Sequence, residues 1–133
     1  MRACYLGSVL LGLASCSVGP RAEKFAPAHS PGGADVRLEF GKGKPLAVGE
    51  LIAVQDTALL IREESVLELV PFASISRGAA TASGSRASFA RRPTPAVRER
   101  LRLLSRYPGG VTPELLRQLL AAYEQTELKV RSP

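Results

Sequence analysis

The amino-acid sequence predicts an α+β protein: a small antiparallel β-barrel over residues 34–80, followed by a C-terminal α-helical hairpin over residues 95–128. Two observations predict this fold. Short apolar runs separated by turn residues fill the first segment, and two leucine-rich runs at helical spacing fill the second. A chain of 133 residues has room for one domain, or for two very small ones.

The barrel prediction depends on strand periodicity. Residues 35–40 alternate between polar and apolar side chains, as a half-buried strand does. Further strands are predicted at 46–54, 58–61, 66–70 and 75–81, with turns at 41–45, 55–57 and 63–65 and a brief helical turn or bend at 72–77. Closure of so small a sheet removes its exposed edges, which is why a barrel is predicted.

The helices are predicted from their first residues. Thr94-Pro95 and Thr112-Pro113 each supply an N-cap followed by a first-turn proline, and the run 107–110 ends the first helix. The leucine faces of the two helices must bury against each other, against the barrel or against a partner. Between barrel and helices, residues 81–94 are rich in Arg, Ser and Ala, with Phe89 as the large apolar side chain, and are predicted to form a flexible linker.

The N-terminus has the layout of an export signal, expected to span residues 1–15. One positive charge precedes an apolar run at 6–13, which is interrupted by a single serine. This run is far shorter than the ~20 residues that a helix needs to cross a bilayer, so a permanent transmembrane span is not expected there.

The run Leu13-Ala14-Ser15-Cys16 resembles the lipobox of bacterial lipoproteins. The resemblance implies cleavage between Ser15 and Cys16, a diacylglyceryl group on the Cys16 thiol and acylation, for example with palmitate, of the new amino terminus. Ser17, where inner-membrane retention usually has Asp, implies the periplasmic face of the outer membrane. An ordinary secretory signal, or a buried helix with a chance cysteine, is the alternative.

Residues 16–33 are rich in Pro and Gly and are predicted to form a tether between the lipid and the folded part. His29, the single histidine of the chain, lies in this tether, and Cys4 would be removed with the signal peptide. No His-based nucleophile pair and no His/Cys metal site can then be assembled. The sequence therefore predicts no enzyme, no catalytic residue, no metal, and no cofactor besides the covalent lipid on Cys16.

Residues 34–80 resemble the Sm-like, SH3-type small barrel in the runs 36–41, 49–56 and 70–75. In RNA-binding members of that family, a loop Asp and Asn and a later Arg-Gly pair hold the nucleotide. In this chain Gln55, Leu59 and Pro71-Phe72 stand at those positions. The resemblance therefore implies a scaffold or interaction module, and nucleic acid is not an expected partner.

Positive charge is concentrated in one part of the chain. The segment 76–106 holds eight arginines and one glutamate, whereas 34–70 carries more acids than bases, in a chain of net charge +6. Such a cluster can contact an anionic surface, or it can be a solvated helix face. The candidate contacts are Arg86, Arg91, Arg92, Arg98 and Arg102.

Three functions follow from these observations. The first is a membrane-anchored, non-enzymatic lipoprotein that binds another envelope protein in the periplasm. The second is a module that binds an anionic envelope polymer or lipid surface through residues 77–106. The third is an RNA-binding Sm-like protein whose start codon is misread. A homo-oligomer is left open, because Sm-like barrels often form rings.

The lipobox interpretation predicts that the chain incorporates palmitate and that Cys16→Ser abolishes both the labelling and the partition into membranes. The reason is that the thioether to the diacylglyceryl group requires the Cys16 thiol. Metabolic labelling followed by membrane fractionation measures both effects. Labelling that survives the substitution, or a wild-type chain that takes up no palmitate, would contradict the prediction.

Overall fold

A computed structural model describes residues 32–131, which form one mixed seven-stranded sheet and two α-helices, the α+β class that the sequence predicts. The strands are β1 (Asp35–Glu39), β2 (Ala47–Val54), β3 (Ala58–Glu63), β4 (Val66–Pro71), β5 (Arg77–Ala82), β6 (Ser85–Ala90) and β7 (Lys129–Val130). A 3₁₀ helix (Phe72–Ser74) joins β4 to β5, and the α-helices are α1 (Pro95–Leu104) and α2 (Pro113–Ala122). The strand order is β6-β5-β1-β2-β3-β4-β7, with the β4–β7 pair parallel and the others antiparallel.

The sheet curls around an inner core, but the predicted barrel is not closed. Within residues 32–131 the hydrogen-bonded ladder ends at β6 on one side and at β7 on the other. Side chains from β1 to β6 nevertheless share one buried cluster. Phe72, after β4, meets Phe89 of β6 edge to face, with 6.2 Å between ring centroids. This aromatic pair places the segment after β4 in contact with β6, although no backbone ladder joins the two ends of the sheet.

The flexible linker predicted over 81–94 is wrong at residues 85–90, which form β6. This strand pairs with β5 along its whole length, across a two-residue turn in which Ser83 and Gly84 have φ of 43° and 81°. Ala87 and Phe89 are buried, whereas Arg86 and Ser88 are exposed. Burial therefore alternates as in any half-buried strand, but alanine and serine differ too little in hydropathy for the sequence pattern to show it.

A β-bulge divides β2. The pairing of β2 with β3 shifts register between Leu51 and Ala53. Leu51 belongs to the inner core, whereas Ile52 and Ala53 both belong to a second cluster on the opposite, outer face of the sheet. The carbonyl groups of Leu51 and Ile52 accept hydrogen bonds from the loop that follows α1 (3.0 and 3.0 Å). The chain after α1 is thus attached to the middle of β2.

Both α-helices form as predicted. Thr94 and Thr112 are their N-caps, and each threonine hydroxyl accepts a hydrogen bond from a backbone N–H in the first turn, at 3.3 and 3.2 Å respectively. Because Pro95 and Pro113 follow the caps, the missing proline N–H costs neither helix an internal hydrogen bond.

The leucine faces of the two helices are buried against the sheet, one of the possibilities that the sequence left open, and not against each other. Leu101 and Leu104 of α1 are buried in the inner core, whereas Leu119 of α2 packs on the outer face of β2, β3 and β4. The central strands therefore lie between the two leucine stripes. This arrangement follows from the loop at residues 105–107, which is hydrogen-bonded to β2 and carries the chain from one face to the other.

We expect Leu101→Ala and Leu119→Ala each to lower the free energy of unfolding by about 2–5 kcal/mol, the usual range for buried leucines. Because the two residues lie in separate cores, their effects should add to within about 0.5 kcal/mol. Urea denaturation of the single and double variants measures this. The pair Leu101/Leu104 shares a core and should show non-additivity. A comparable coupling between Leu101 and Leu119 would instead indicate a paired hairpin.

Candidate binding groove and tether clamp

A groove of about 300 Å³ lies where the end of β4 meets the start of α1. Its lining is mostly apolar, and Ala58, Phe72 and Pro93 are buried beneath it. The remaining lining residues are Asp56, Thr57, Leu69, Pro71, Ala73, Arg92 and Arg98. The 3₁₀ helix presents Phe72 here because Pro71 ends β4 and turns the chain.

The rim of the groove is positively charged. Arg92 is exposed, and the half-buried Arg98 donates from Nη1 to the backbone oxygen of Asp56 (3.1 Å). Neither arginine forms an ion pair with a carboxylate of residues 32–131, and α1 has no acidic residue in its first turn to balance the positive end of its dipole. The lining thus combines two guanidinium groups and one carboxylate, that of Asp56, with an apolar floor.

The other three candidate arginines lie elsewhere. Arg86 is exposed on β6, and its backbone oxygen accepts a hydrogen bond from Arg100 Nη2 (3.0 Å). Arg91 follows β6 with φ of 58°. Arg102 pairs with Glu99 through two hydrogen bonds (2.8 and 2.5 Å), which hold the pKa of Arg102 above its ordinary value. The structure therefore joins Arg92 and Arg98 in the groove. Arg98 and Arg102 also line a neighbouring depression, in which the charge of Arg102 is paired with Glu99.

The basic side chains of residues 32–131 fall into two groups. Those with a carboxylate within ion-pair distance are Arg62, Arg102, Arg106, Arg117, Lys129 and Arg131. Those without one in the same range are Arg37, Lys42, Lys44, Arg77, Arg86, Arg91, Arg92, Arg98 and Arg100. The unpaired group lies on β1, β5, β6, α1 and the loops beside them. It extends beyond the arginine-rich segment to Arg37 of β1 and to two lysines of the β1–β2 turn.

A second site surrounds Glu50 in the middle of β2, and we call it the tether clamp. Glu50 is 7% exposed, and three groups donate to its carboxylate: the backbone N–H of Gly33 (2.6 Å), Arg62 (2.7 Å) and Arg106 (2.7 Å). Burial alone would raise the pKa of Glu50. The hydrogen bonds from Gly33, Arg62 and Arg106, together with the charge of Arg106, outweigh it and lower the pKa.

Glycine is required where the predicted tether joins the clamp. A Cβ on Gly33 would lie 2.0 Å from the backbone oxygen of Leu51, a distance that a side chain cannot adopt. Most of the predicted tether, together with Ser15 and Cys16, lies outside the described residues. The one signal for the clamp in the sequence is the charge of Glu50 inside the apolar run 46–54. Its arginine partners lie too far along the chain for spacing to reveal them.

A second buried carboxylate, Glu68, holds the C-terminal strand. Glu68 is 2% exposed in β4, and Arg131 Nη2, directly after β7, lies 2.9 Å from its Oε2 and 3.1 Å from Glu63. The Arg131 guanidinium also stacks 4.8 Å from the ring centroid of Phe40, next to β1. Lys129 Nζ lies 3.4 Å from Glu68 Oε1, which has no hydrogen-bond partner within residues 32–131. Arg131 therefore connects the β7 end of the sheet to β1.

Within residues 32–131, no group of three His, Cys, Asp or Glu side chains is arranged to hold a metal ion. In that same range, neither helix has the length and apolar character needed to cross a bilayer. The groove itself offers two guanidinium groups, one carboxylate and apolar contacts.

Glu50→Gln is expected to lower the free energy of unfolding at pH 7 by about 2 kcal/mol, because charge-assisted hydrogen bonds become neutral ones. The folded-state pKa of Glu50 is lowered, so its contribution is complete above the unfolded-state pKa of about 4.3 and is lost as the pH falls below it. The difference between wild type and variant should therefore shrink towards pH 3.

Urea titrations from pH 7 to pH 3 check this. Glu114→Gln is the matched control, since Glu114 pairs with Arg117 on the exposed face of α2, and its effect should stay within about 0.5 kcal/mol. A Glu50→Gln deficit that is the same at every pH would show that the carboxylate charge is not what stabilises the clamp.

Comparison with known proteins gives no relative from which a function could be read. The chain matches no protein-family model, and the searches of curated proteins and of solved structures also find no match. Function is therefore inferred from the residues themselves.

Proposed function

We propose that this chain is a lipid-anchored protein of the bacterial cell envelope, held through Cys16 at the periplasmic face of the outer membrane, and that its folded part is a non-enzymatic module that binds another envelope protein. The lipobox at 13–16 supports the anchor. The observation that carries the binding function is the groove, where an apolar floor lies beside the guanidinium groups of Arg92 and Arg98, neither of which has a carboxylate partner among residues 32–131.

We infer that β1–β5 are an Sm-like, SH3-type unit used as a scaffold. The strand order β5-β1-β2-β3-β4, with a 3₁₀ helix before β5, supports this inference. RNA binding is not proposed. Leu59, at the position of a nucleotide-binding residue in that family, is fully buried, and Pro71 and Phe72 line the groove.

The tether clamp supports attachment to a membrane. The predicted tether ends at Gly33, whose N–H donates a hydrogen bond to the buried Glu50 in a central strand. A force applied along the tether would therefore be transmitted directly to the sheet. A flexible chain of this length has a root-mean-square span of roughly 20–25 Å. The folded part would therefore stay within a few nanometres of the bilayer, where envelope proteins are its partners.

The chemistry of the groove defines the segment that it would bind. Phe72, Pro71 and Pro93 offer contacts for one large apolar side chain. Arg92 and Arg98 can pair with a carboxylate beside it, since guanidinium groups match carboxylates geometrically. We therefore propose that the partner presents an acidic residue next to an apolar one in an exposed segment.

The test is selection from a displayed library of random peptides, with the Cys16→Ser chain as bait. Wild-type groove residues should enrich peptides that place Asp or Glu beside a large apolar residue. Arg92→Glu/Arg98→Glu should weaken those peptides by about 10- to 100-fold, and should instead enrich peptides with Lys or Arg, because the rim charge is inverted. The variant should fold, since the substitution at Arg98 places an acid near the start of α1, where the helix dipole favours negative charge.

The matched control is Arg86→Glu/Arg117→Glu, which inverts two exposed arginines away from the groove and should leave the selected sequences unchanged. Selection of the same peptides by wild type and by the groove variant would refute the groove as the binding site. So would the absence of any enriched sequence with the wild-type bait.

A second candidate, binding of an anionic envelope polymer, is favoured by one observation: the basic residues without acidic partners among residues 32–131 all lie on β1, β5, β6, α1 and the loops beside them. Sedimentation of the Cys16→Ser chain with peptidoglycan at low salt, lost at high salt, together with a failed peptide selection, would favour this candidate over the first.

A further inference from the structure

The turn between β1 and β2 combines basic and apolar side chains on an exposed surface. Lys42 and Lys44 are exposed, and neither has a carboxylate within ion-pair distance in residues 32–131. Two residues further on, Leu46 is 40% exposed, and Val48 at the start of β2 is 56% exposed. Gly41 and Gly43, with φ of 117° and 76°, shape the turn, and a Cβ on either would meet no atom within 4 Å, so the turn is open.

Neighbouring strands add to this surface. Arg77, at the start of β5, lines an open depression of about 470 Å³ together with Lys42, Lys44 and Leu46. The other lining residues are Glu39, Gly41 and Ser76. Arg37 of β1 is directly opposite Val48 in the β1–β2 ladder, and both are exposed. We call these six residues the docking surface: Arg37, Lys42, Lys44, Leu46, Val48 and Arg77.

We propose that the docking surface binds the anionic lipid surface of the membrane to which Cys16 attaches the chain, an inference that rests on the proposed lipid anchor for its biological setting. The docking surface carries four basic side chains, and Glu39 is the one acid in the lining of its depression, so the surface is complementary to anionic headgroups. The exposed leucine and valine between them favour a bilayer over a soluble polymer, because apolar side chains can enter the headgroup boundary while the bases stay with the phosphates.

The position of the tether is compatible with this contact. Gly33 lies two residues before β1 and Gly41, the first glycine of the docking turn, lies two residues after it, so the eight residue steps between them span at most about 27 Å. The predicted tether spans roughly 20–25 Å on average. Lipid anchor and docking surface can therefore meet the same bilayer, and contact at both points would restrict the orientations of the folded part.

The experiment uses the full chain with Cys16→Ser, so that no acyl group contributes, and vesicles of phosphatidylcholine with about one quarter phosphatidylglycerol. The chain should co-sediment with these vesicles and not with pure phosphatidylcholine. Lys42→Gln/Lys44→Gln should lower the partition coefficient roughly 10- to 30-fold, since each base near an anionic surface contributes about a fivefold effect. Leu46→Asn should lower it further without changing the salt dependence.

Arg86→Gln/Arg100→Gln is the matched control, because it removes two charges that also lack a carboxylate partner among residues 32–131 and that lie at the far end of β5 and β6 from the docking turn. Its partition should change by less than about threefold. An equal loss in both double variants, or no loss in Lys42→Gln/Lys44→Gln, would overturn the docking surface. Thermal unfolding by circular dichroism verifies that all variants fold.

The two proposals fail separately. If palmitate labelling shows no anchor but the Cys16→Ser chain still binds anionic vesicles through the lysine turn, the docking surface stands and the lipoprotein proposal falls. If labelling is present and vesicle binding by the unacylated chain is absent, the anchor stands and the docking surface is refuted.

Discussion

The carboxylate of Glu50 is the contact on which the rest of the structure depends, because three distant parts of the chain meet at it. The three donors to this carboxylate are Gly33 at the start of the described chain, Arg62 on β3 and Arg106 in the loop after α1. A carboxylate buried in the middle of a strand would be strongly destabilising without such partners. The three donors neutralise and solvate it, and in doing so they fix where the chain enters the sheet and where it crosses from α1 to α2.

The bulge beside Glu50 explains why so small a sheet supports two cores. It turns Ile52 and Ala53 to the outer face and leaves Leu51 on the inner one, so the central strands are buried on both sides. α1 covers the inner core and α2 the outer core. The gap in the ladder is then crossed by side chains, through the pair Phe72–Phe89 and through Arg131 stacked on Phe40.

The same framework separates three surfaces that would each serve a lipid-anchored binding module. The tether clamp holds Gly33, the last residue of the predicted tether. The groove offers guanidinium groups above apolar side chains, and the docking surface places lysines beside exposed leucine and valine. The three surfaces differ in whether their basic side chains form ion pairs. Bases around the clamp and β7 are neutralised by carboxylates, whereas those at the groove and the docking surface have no acidic partner among residues 32–131 and can bind external anions.

By itself the sequence determined the features that depend on local spacing: the alternation of β1, the capped starts of α1 and α2, and the α+β class. The lipoprotein interpretation of the run 13–16 stays a prediction. Only the tertiary structure decided that Ser85–Ala90 is a strand, which core each helix covers, which arginines meet in the groove, and that Arg62 and Arg106 share Glu50. The physical reason is sequence separation. A cap or a strand alternation is encoded within a few residues, whereas the burial of a carboxylate or the side of a sheet that a helix occupies depends on contacts between residues that are distant along the chain.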